Sequence, residues 1–384
     1  MPHERILSIQ SHVVFGYVGG KAAVFPLQCL GYNVDVINTV NFSNHSGYGR
    51  MGGTKTTATE LDAMFGALQQ NGLLMSNRLL TGYIPGAEAL FAVERIANKL
   101  KKEEQCLIYL LDPVMGDAGK LYVAPDVIPV YRRMLPLASI ITPNWFEVEV
   151  LTEVSIKDMA SLQQALRILH AKYHVPNVVI SSIPLKPWLL AALPPPILPP
   201  ISSEESEHLF CLASSTNGAG EDPGCPHPSR VHAACVPLLP GYFSGVGDLF
   251  SALVLAHFHP HISNQSSSPS STTTPIDPVE QRSQSPRPPP KLTSSLTPLS
   301  YAASLALTKT HAILSKTYEQ ALSLPEDERQ PSDDELDAKD LMRKVKRMRG
   351  RELALVEGQD IIRGIGLNAD AVRWMGEWDA FWES

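Results

Sequence analysis

From residue 5 to about residue 183, short apolar runs alternate with longer segments of helical period. RILSIQSHV, YNVDVINTV, RLLTGYI, CLIYLLDPV, ASIITP and NVVISSI are apolar or β-branched, and turn residues follow each, so they predict strands. Between them, 57–71, 86–102 and 158–172 repeat apolar residues three and four apart, the period of an amphipathic helix. Strands alternating with helices predict an α/β fold with a doubly wound, mostly parallel central sheet and helices on both faces. Such sheets bind ligands at the carboxyl ends of their strands.

The later pattern is interrupted. Residues 184–240 form a Pro/Ser/Gly-rich insertion with strand-like runs near 187–192 and 208–213. Residues 260–298 are Ser/Pro-rich and predict a disordered insertion, because they cannot bury enough apolar surface to order themselves. Each doubling of loop length costs only about 0.6 kcal/mol. One domain over 1–384 can therefore continue through helices at 247–258 and about 299–320. Acidic 324–340 and basic RKVKRMRGR (343–351) read as a charged, flexible stretch over 324–350 whose blocks pair with each other. The basic run is also a nuclear-import candidate. Leu367, Ala371, Trp374, Trp378 and Trp382 fall at helical spacing, an aromatic stripe expected to pack on the core.

Composition narrows the function. The chain has 384 residues, a net charge of −7 and a pI near 6.0, which argues against a general nucleic-acid binder. No apolar run approaches the roughly 20 residues that span a bilayer. MPHERILSIQ lacks the layout of a secretory leader, and the five cysteines are odd in number without a CxxC. A cytoplasmic protein is the expectation. Cys211, Cys225, His227, His232 and Cys235 are zinc-ligand types. Their spacing matches no standard finger and their surroundings read as an unstructured loop.

Two glycine motifs compete for a nucleotide. GYGRMG (47–52) satisfies GxGxxG, but it follows the second strand, and the next strand ends without an acid to hold a ribose. The Walker pattern fails as well, since Gly53 stands where lysine is required. GYFSGVGDLFSAL (241–253) is different. Gly245 and Gly247 let backbone N–H groups crowd round a point at a helix start, which is a place for an anion. Asp248 beside it is either a helix cap or a base working next to a phosphate. DPVMGD (112–117), ITPNWFE (141–147) and VVISS (178–182) end successive strands and converge on the same rim. Asp112 and Asp117 can hold hydrated Mg²⁺ and a monovalent ion, because hard cations take oxygen ligands. Asn144 and Glu147 open a helix and can bind metal waters, bind phosphate, or simply cap it.

These stretches resemble a family. The glycine loop with its aspartate resembles the ribokinase-like fold. SIQSHVVFGYVG (8–19), NFSNHSGYG (41–49), LLTGY (79–83), DPVMGD and ITPNWFE resemble eukaryotic-type pyridoxal kinases. The resemblance covers 1–183 and 241–258 almost continuously, and 299–320 and 351–362 weakly. It implies ATP-dependent phosphorylation of the hydroxymethyl group of pyridoxal, pyridoxine and pyridoxamine. It further implies Asp248 as base and Gly245, Val246 and Gly247 as phosphoryl-stabilising amides. Ser11 and Ser46 would hydrogen-bond the vitamer, and Val18, Phe42 and Tyr83 would line its ring. Asp112, Asp117, Thr142, Asn144 and Glu147 would serve ATP, Mg²⁺ (or another divalent cation) and K⁺, with Ser181, Ser182 and Gly247 at the nucleotide phosphates. A homodimer binding small molecules, with no nucleic acid or membrane, completes what the resemblance implies. Val246 replaces a threonine common in animal relatives, and DAGKLYV (117–123) is a short version of the family's flap. A hydroxymethylpyrimidine or other small-alcohol kinase of this fold is the nearest alternative. A non-catalytic scaffold is the other, although a scaffold has no need of a base beside an anion hole.

Overall fold

The computed structural model describes residues 4–117, 119–199, 207–216, 227–260, 286 and 295–383. Six parallel strands form the centre of the sheet: β1 (Arg5–Val13), β2 (Asn33–Phe42), β4 (Arg78–Thr81), β5 (Ile108–Leu111), β8 (Ile140–Ile141) and β9 (Asn177–Pro184). A short β3 (Gly53–Lys55) closes one edge antiparallel to β2. At the other, β10 (His208–Ser215), β11 (Arg230–Pro237) and β12 (Gly376–Glu377) extend the sheet antiparallel. A small hairpin of β6 (Gly116–Asp117) and β7 (Lys120–Leu121) stands apart from it. The main sheet runs β12-β11-β10-β9-β8-β5-β4-β1-β2-β3.

Alternation decides which side chain goes to which face. Leu79, Leu111, Ile141, Val178 and Leu212 enter one core, while Leu80, Leu110, Ile140, Val179 and Cys211 enter the other. The first core is covered by α2 (Ala58–Gln70), α3 (Ala87–Glu103), α4 (Val127–Met134), α5 (Trp145–Thr152) and α6 (Met159–Arg167). The second is covered by α1 (Gly20–Cys29), α8 (Val246–His257) and α9 (Pro298–Leu322). The predicted doubly wound sheet is therefore present, and its helix ends fall within a few residues of the sequence pattern.

Five expectations change. The run at 187–192 is a short helix, α7 (Pro187–Ala192), opened by Pro187 at its first position. Within the Pro/Ser/Gly-rich 184–240 stretch, β10 and β11 are full sheet strands, because HLFCLASS and RVHAACVP each alternate buried side chains between the two cores. This also removes the loop reading for Cys211, His232 and Cys235, while His227 lies in a bend before β11. Cys211 is buried on one face of the sheet and Cys235 packs against the other, so they do not converge. His232 is buried with Nε2 on the Ser295 carbonyl at 2.9 Å, and burial pushes its pKa down to about 4. Cys225 lies outside the described residues, and among those residues no group of three or more His, Cys, Asp or Glu is placed to hold a metal.

The 324–350 stretch, expected to be flexible, forms α10 (Asp334–Lys339) and α11 (Leu341–Arg349). Its charge blocks do pair: Arg347 is bonded to Asp337, Lys346 to Asp327, and Arg349 reaches Glu328 at 2.8 Å. The terminal aromatic stripe is not helical. Turns and β12 replace the helix, and Val372, Met375, Trp378 and Phe381 are the residues buried there. The 260–298 insertion lies outside the described residues except for Pro260, Pro286 and 295–298. No helix among the described residues is long and apolar enough to cross a membrane.

Candidate active site

The parallel strands end on one rim, and α8 points its N-terminus at it. Gly245 caps α8 with φ of 80°, a left-handed conformation that favours glycine, and a Cβ there would lie 2.0 Å from the Tyr17 carbonyl. Glycine is thus required twice, by backbone conformation and by close approach. Val246 and Gly247 form the first helical positions, where free N–H groups and the helix dipole favour an anion.

Asp248 sits in that first turn, yet no side-chain cap bond to α8 forms. Its Oδ2 accepts instead from the Gly19 N–H at 2.7 Å, across the cleft from the loop after β1. The open question of cap or base is therefore narrowed. Burial raises the Asp248 pKa to about 6, against the pull of the Gly19 hydrogen bond. A carboxylate with that pKa is poised to take a proton near neutrality.

Asp112, directly after β5, faces the same point; its Oδ2 lies 4.0 Å from where a Gly247 Cβ would be. Ser251 donates to Asp112 at 2.9 Å and pairs with Thr142 at 2.8 Å, linking α8 to the ends of β5 and β8. Burial raises the Asp112 pKa, the Asp248 carboxylate adds to it, and Ser251 opposes. Glu147 is buried too, and its pKa is raised by burial and then by Asp112, with backbone N–H donors pulling the other way. Asn144 and Glu147 make a reciprocal capping box on α5, with bonds of 2.9 Å each way, and Asn144 also donates to the Gly116 carbonyl at 2.8 Å. Glu147 further accepts from the Met115 N–H at 2.9 Å. The box orients both residues toward the hairpin while capping their own helix.

The other predicted residues line the same rim. Ser11 is buried just past a bulge in β1, Val18 follows in the loop, and Phe42 ends β2. Ser46 is exposed in a tight turn over Ser46–Tyr48. Tyr83 is half-buried after β4, its carbonyl held by Thr39 at 2.7 Å. Ser181 and Ser182 are half-buried within β9, with the Ser181 N–H on the Pro143 carbonyl at 3.0 Å. Asp117 stands exposed on the hairpin within electrostatic reach of Tyr242.

Three groups escape a reading of the sequence. Ser251 stands three residues after Asp248, on the same helical face, and that spacing was a usable signal. Tyr122 and Tyr242 border the acids, their phenol pKa values raised first by burial and then by nearby acids. Glu352 gathers His45, Tyr48 and the Tyr17 N–H from far earlier in the chain, and nothing local announces it.

The acids carry a testable cost. A carboxyl with a raised folded pKa keeps its proton longer than the unfolded chain does, whose value is about 3.9, so stability falls as pH rises between the two. Asp112→Asn is expected to raise the melting temperature of the ligand-free protein, by a larger margin at pH 8 than at pH 5. Thermal melts at both values check this.

Known proteins resemble this chain in sequence and in fold. A family model described as phosphomethylpyrimidine kinase matches residues 80–186. The pyridoxal kinase of Arabidopsis thaliana is 41% identical over 252 residues, covering 65% of this chain and 73% of that protein. The pyridoxal kinase of Bos taurus is 38% identical over 265 residues, 68% of this chain and 79% of its own length. Among solved structures, pyridoxal kinase from Leishmania donovani in complex with ADP and pyridoxine superposes with a TM-score of 0.68 at 26% identity, over 97% of this chain and 99% of the other. Likeness of that extent in sequence, on a fold that superposes almost end to end, makes this chain a member of the pyridoxal kinase family.

Proposed function

We propose that the cleft transfers the terminal phosphoryl group of ATP to the 5′-hydroxymethyl oxygen of pyridoxal, and likewise of pyridoxine and pyridoxamine. The observation that carries this reading is Asp248, at the anion-binding end of α8 and bonded across the cleft to Gly19 rather than to its own helix. Its carboxylate takes the hydroxyl proton as the oxygen attacks the γ-phosphorus. The bond from that phosphorus to the β,γ-bridging oxygen breaks, and ADP leaves. The N–H groups of Gly245, Val246 and Gly247 stabilise the charge that develops on the transferring group. Ser11 and Ser46 hydrogen-bond the vitamer, and Val18, Phe42 and Tyr83 hold its ring. Thr142, Asn144, Ser181 and Ser182 serve the nucleotide.

The acids fit a cation. Asp112 and Glu147 are buried, Asp248 raises the Asp112 pKa and Asp112 raises that of Glu147, and among the described residues neither pairs with a cationic side chain. Because no three acids among the described residues are placed to ligate a metal together, Asp112, Asp117 and Glu147 would hold Mg²⁺ through its waters, with K⁺ at the same rim. A bound Mg²⁺ supplies neutralisation of the phosphate oxygens. Cytoplasmic location and a homodimer belong to the same proposal.

The match to the phosphomethylpyrimidine kinase model favours a second reading, a hydroxymethylpyrimidine kinase. That match spans Asp112 through Ser182 and omits Ser11, Ser46 and Asp248. Coupled ADP-release assays across pyridoxal, pyridoxine, pyridoxamine and hydroxymethylpyrimidine separate the two. Pyridoxal turnover should exceed hydroxymethylpyrimidine turnover by at least about 10-fold, since one well-placed polar contact worth about 1.4 kcal/mol corresponds to a factor of about ten. The reverse preference would replace the first reading by the second.

A further inference from the structure

Outside the acid cluster, Glu352 is a carboxylate with partners on three other residues. Its Oε1 accepts from the Tyr48 hydroxyl at 2.7 Å and meets His45 Nε2 at 3.1 Å, while Oε2 accepts from the Tyr17 N–H at 2.7 Å. Residues 17 and 352 are 335 positions apart. These bonds join two segments that carry vitamer-side candidates. Tyr17 immediately precedes Val18, and His45 and Tyr48 bracket the turn that carries Ser46. His45 Nδ1 is the acceptor for the Gly47 N–H at 3.2 Å, which leaves Nε2 as the nitrogen that donates to Glu352.

The contact reaches further through the backbone. The Tyr17 carbonyl packs against Gly245, and two residues on the Gly19 N–H donates to Asp248. Glu352 therefore grips the loop whose other end holds the candidate base. Space is fitted to the carboxylate: a Cβ on Gly16 would lie 2.5 Å from its Oε1. The helix just before Glu352 packs on the same turn, since a Cβ on Gly49 would lie 2.9 Å from Leu341 and one on Gly47 3.0 Å from Met348. Burial pushes the Glu352 pKa up, but the hydrogen bonds from His45, Tyr48 and Tyr17 outweigh it and hold the group ionised.

We propose that Glu352 is a positioning residue that clamps the 14–19 loop to the 45–48 turn and so sets both the vitamer pocket and the hold of Gly19 on Asp248. The inference rests on the pyridoxal kinase reading of the cleft. Glutamine keeps the shape of Glu352 but offers a single acceptor oxygen, so it cannot serve both the Tyr17 N–H and the His45–Tyr48 pair. Charge-assisted bonds are the strong ones, and losing one from a part-buried site should be felt at the pocket.

Steady-state kinetics of the full-length wild type, Glu352→Gln, Tyr48→Phe and the double variant, with both KM values and melting temperatures, test this. The expected result for Glu352→Gln is a pyridoxal KM raised about tenfold or more and kcat lowered about tenfold, with the ATP KM within twofold. Tyr48→Phe, which keeps the carboxylate and removes one donor, should raise the pyridoxal KM about threefold and leave the ATP KM alone. The double variant should be no worse than Glu352→Gln, because both act through one contact. Should Glu352→Gln fail to fold, Tyr48→Phe alone decides by the same split between the two KM values. Unchanged pyridoxal KM in either soluble variant, or equal shifts in both KM values, overturns the clamp. A wild type that turns over pyridoxal while these variants behave normally overturns the clamp alone; a wild type inactive on pyridoxal overturns the reading beneath it as well.

Discussion

Asp248→Asn should lower turnover about 10²–10⁴-fold, the range of a general base, while ATP and pyridoxal affinities stay within a few-fold. Asparagine caps helices about as well as aspartate, so a capping role would leave turnover nearly normal. The amide can still accept from Gly19, but it cannot take the hydroxyl proton. A second signature comes from pH. Burial raises the Asp248 pKa to about 6, so the active carboxylate is lost as pH falls through that value. In the wild type, kcat/KM should therefore decline on the acid side with a midpoint near pH 6, and the residual activity of the asparagine variant should lack that limb. The fold should not suffer, because a raised folded pKa costs stability as pH rises from the unfolded value toward 6, and asparagine removes that cost. A large loss of turnover with an equal or higher melting temperature identifies the base. Near-normal turnover would remove Asp248 from the chemistry.

Gly245→Ala is expected to be nearly as damaging by a different route. At φ of 80° an alanine pays about 1–2 kcal/mol for a left-handed backbone, and its methyl would overlap the Tyr17 carbonyl at 2.0 Å. Neither atom is the end of a flexible side chain, so backbone must move. The moving parts are the amides proposed to stabilise the phosphoryl group and the loop that holds Asp248. Displacing such groups by about 1 Å costs on the order of 10²-fold. We expect turnover down by at least about 10²-fold together with a melting temperature lowered by several degrees. A kinetically normal variant would show that the loop is not the phosphoryl-stabilising element.

The sequence and the structure agree where a local pattern is the cause of the structure. RILSIQSHV and NVVISSI are short, nearly continuous apolar runs followed by turn residues, and they are buried on both faces as strands of a covered parallel sheet are, so the parallel core was legible. GVGD was legible for the same reason, since positive φ and a helix start are local demands. Averages over a window misled instead. Proline and serine in 184–240 hid β11, whose own residues alternate well, and left β10 legible only as a strand-like run near 208–213. The charged 324–350 stretch reads as solvated until its opposite blocks are seen to neutralise each other in α10 and α11. The tryptophans near the end keep helical spacing by count alone, and their segment follows the sheet edge.

The amino-acid sequence by itself determined the alternation of strands and helices up to about residue 183, the two-faced core, the glycine loop and the acids at the strand ends. Each of these follows from residues within one or two turns of chain. Only the tertiary structure decided that Asp248 bonds to Gly19 instead of capping its helix, that Ser251 ties Asp112 to Thr142, and that Glu352 joins two distant loops. Those bonds link residues 109 to 335 positions apart. No periodicity encodes a partner at that distance, because the pairing exists only once burial in two cores has brought the strand ends to one rim.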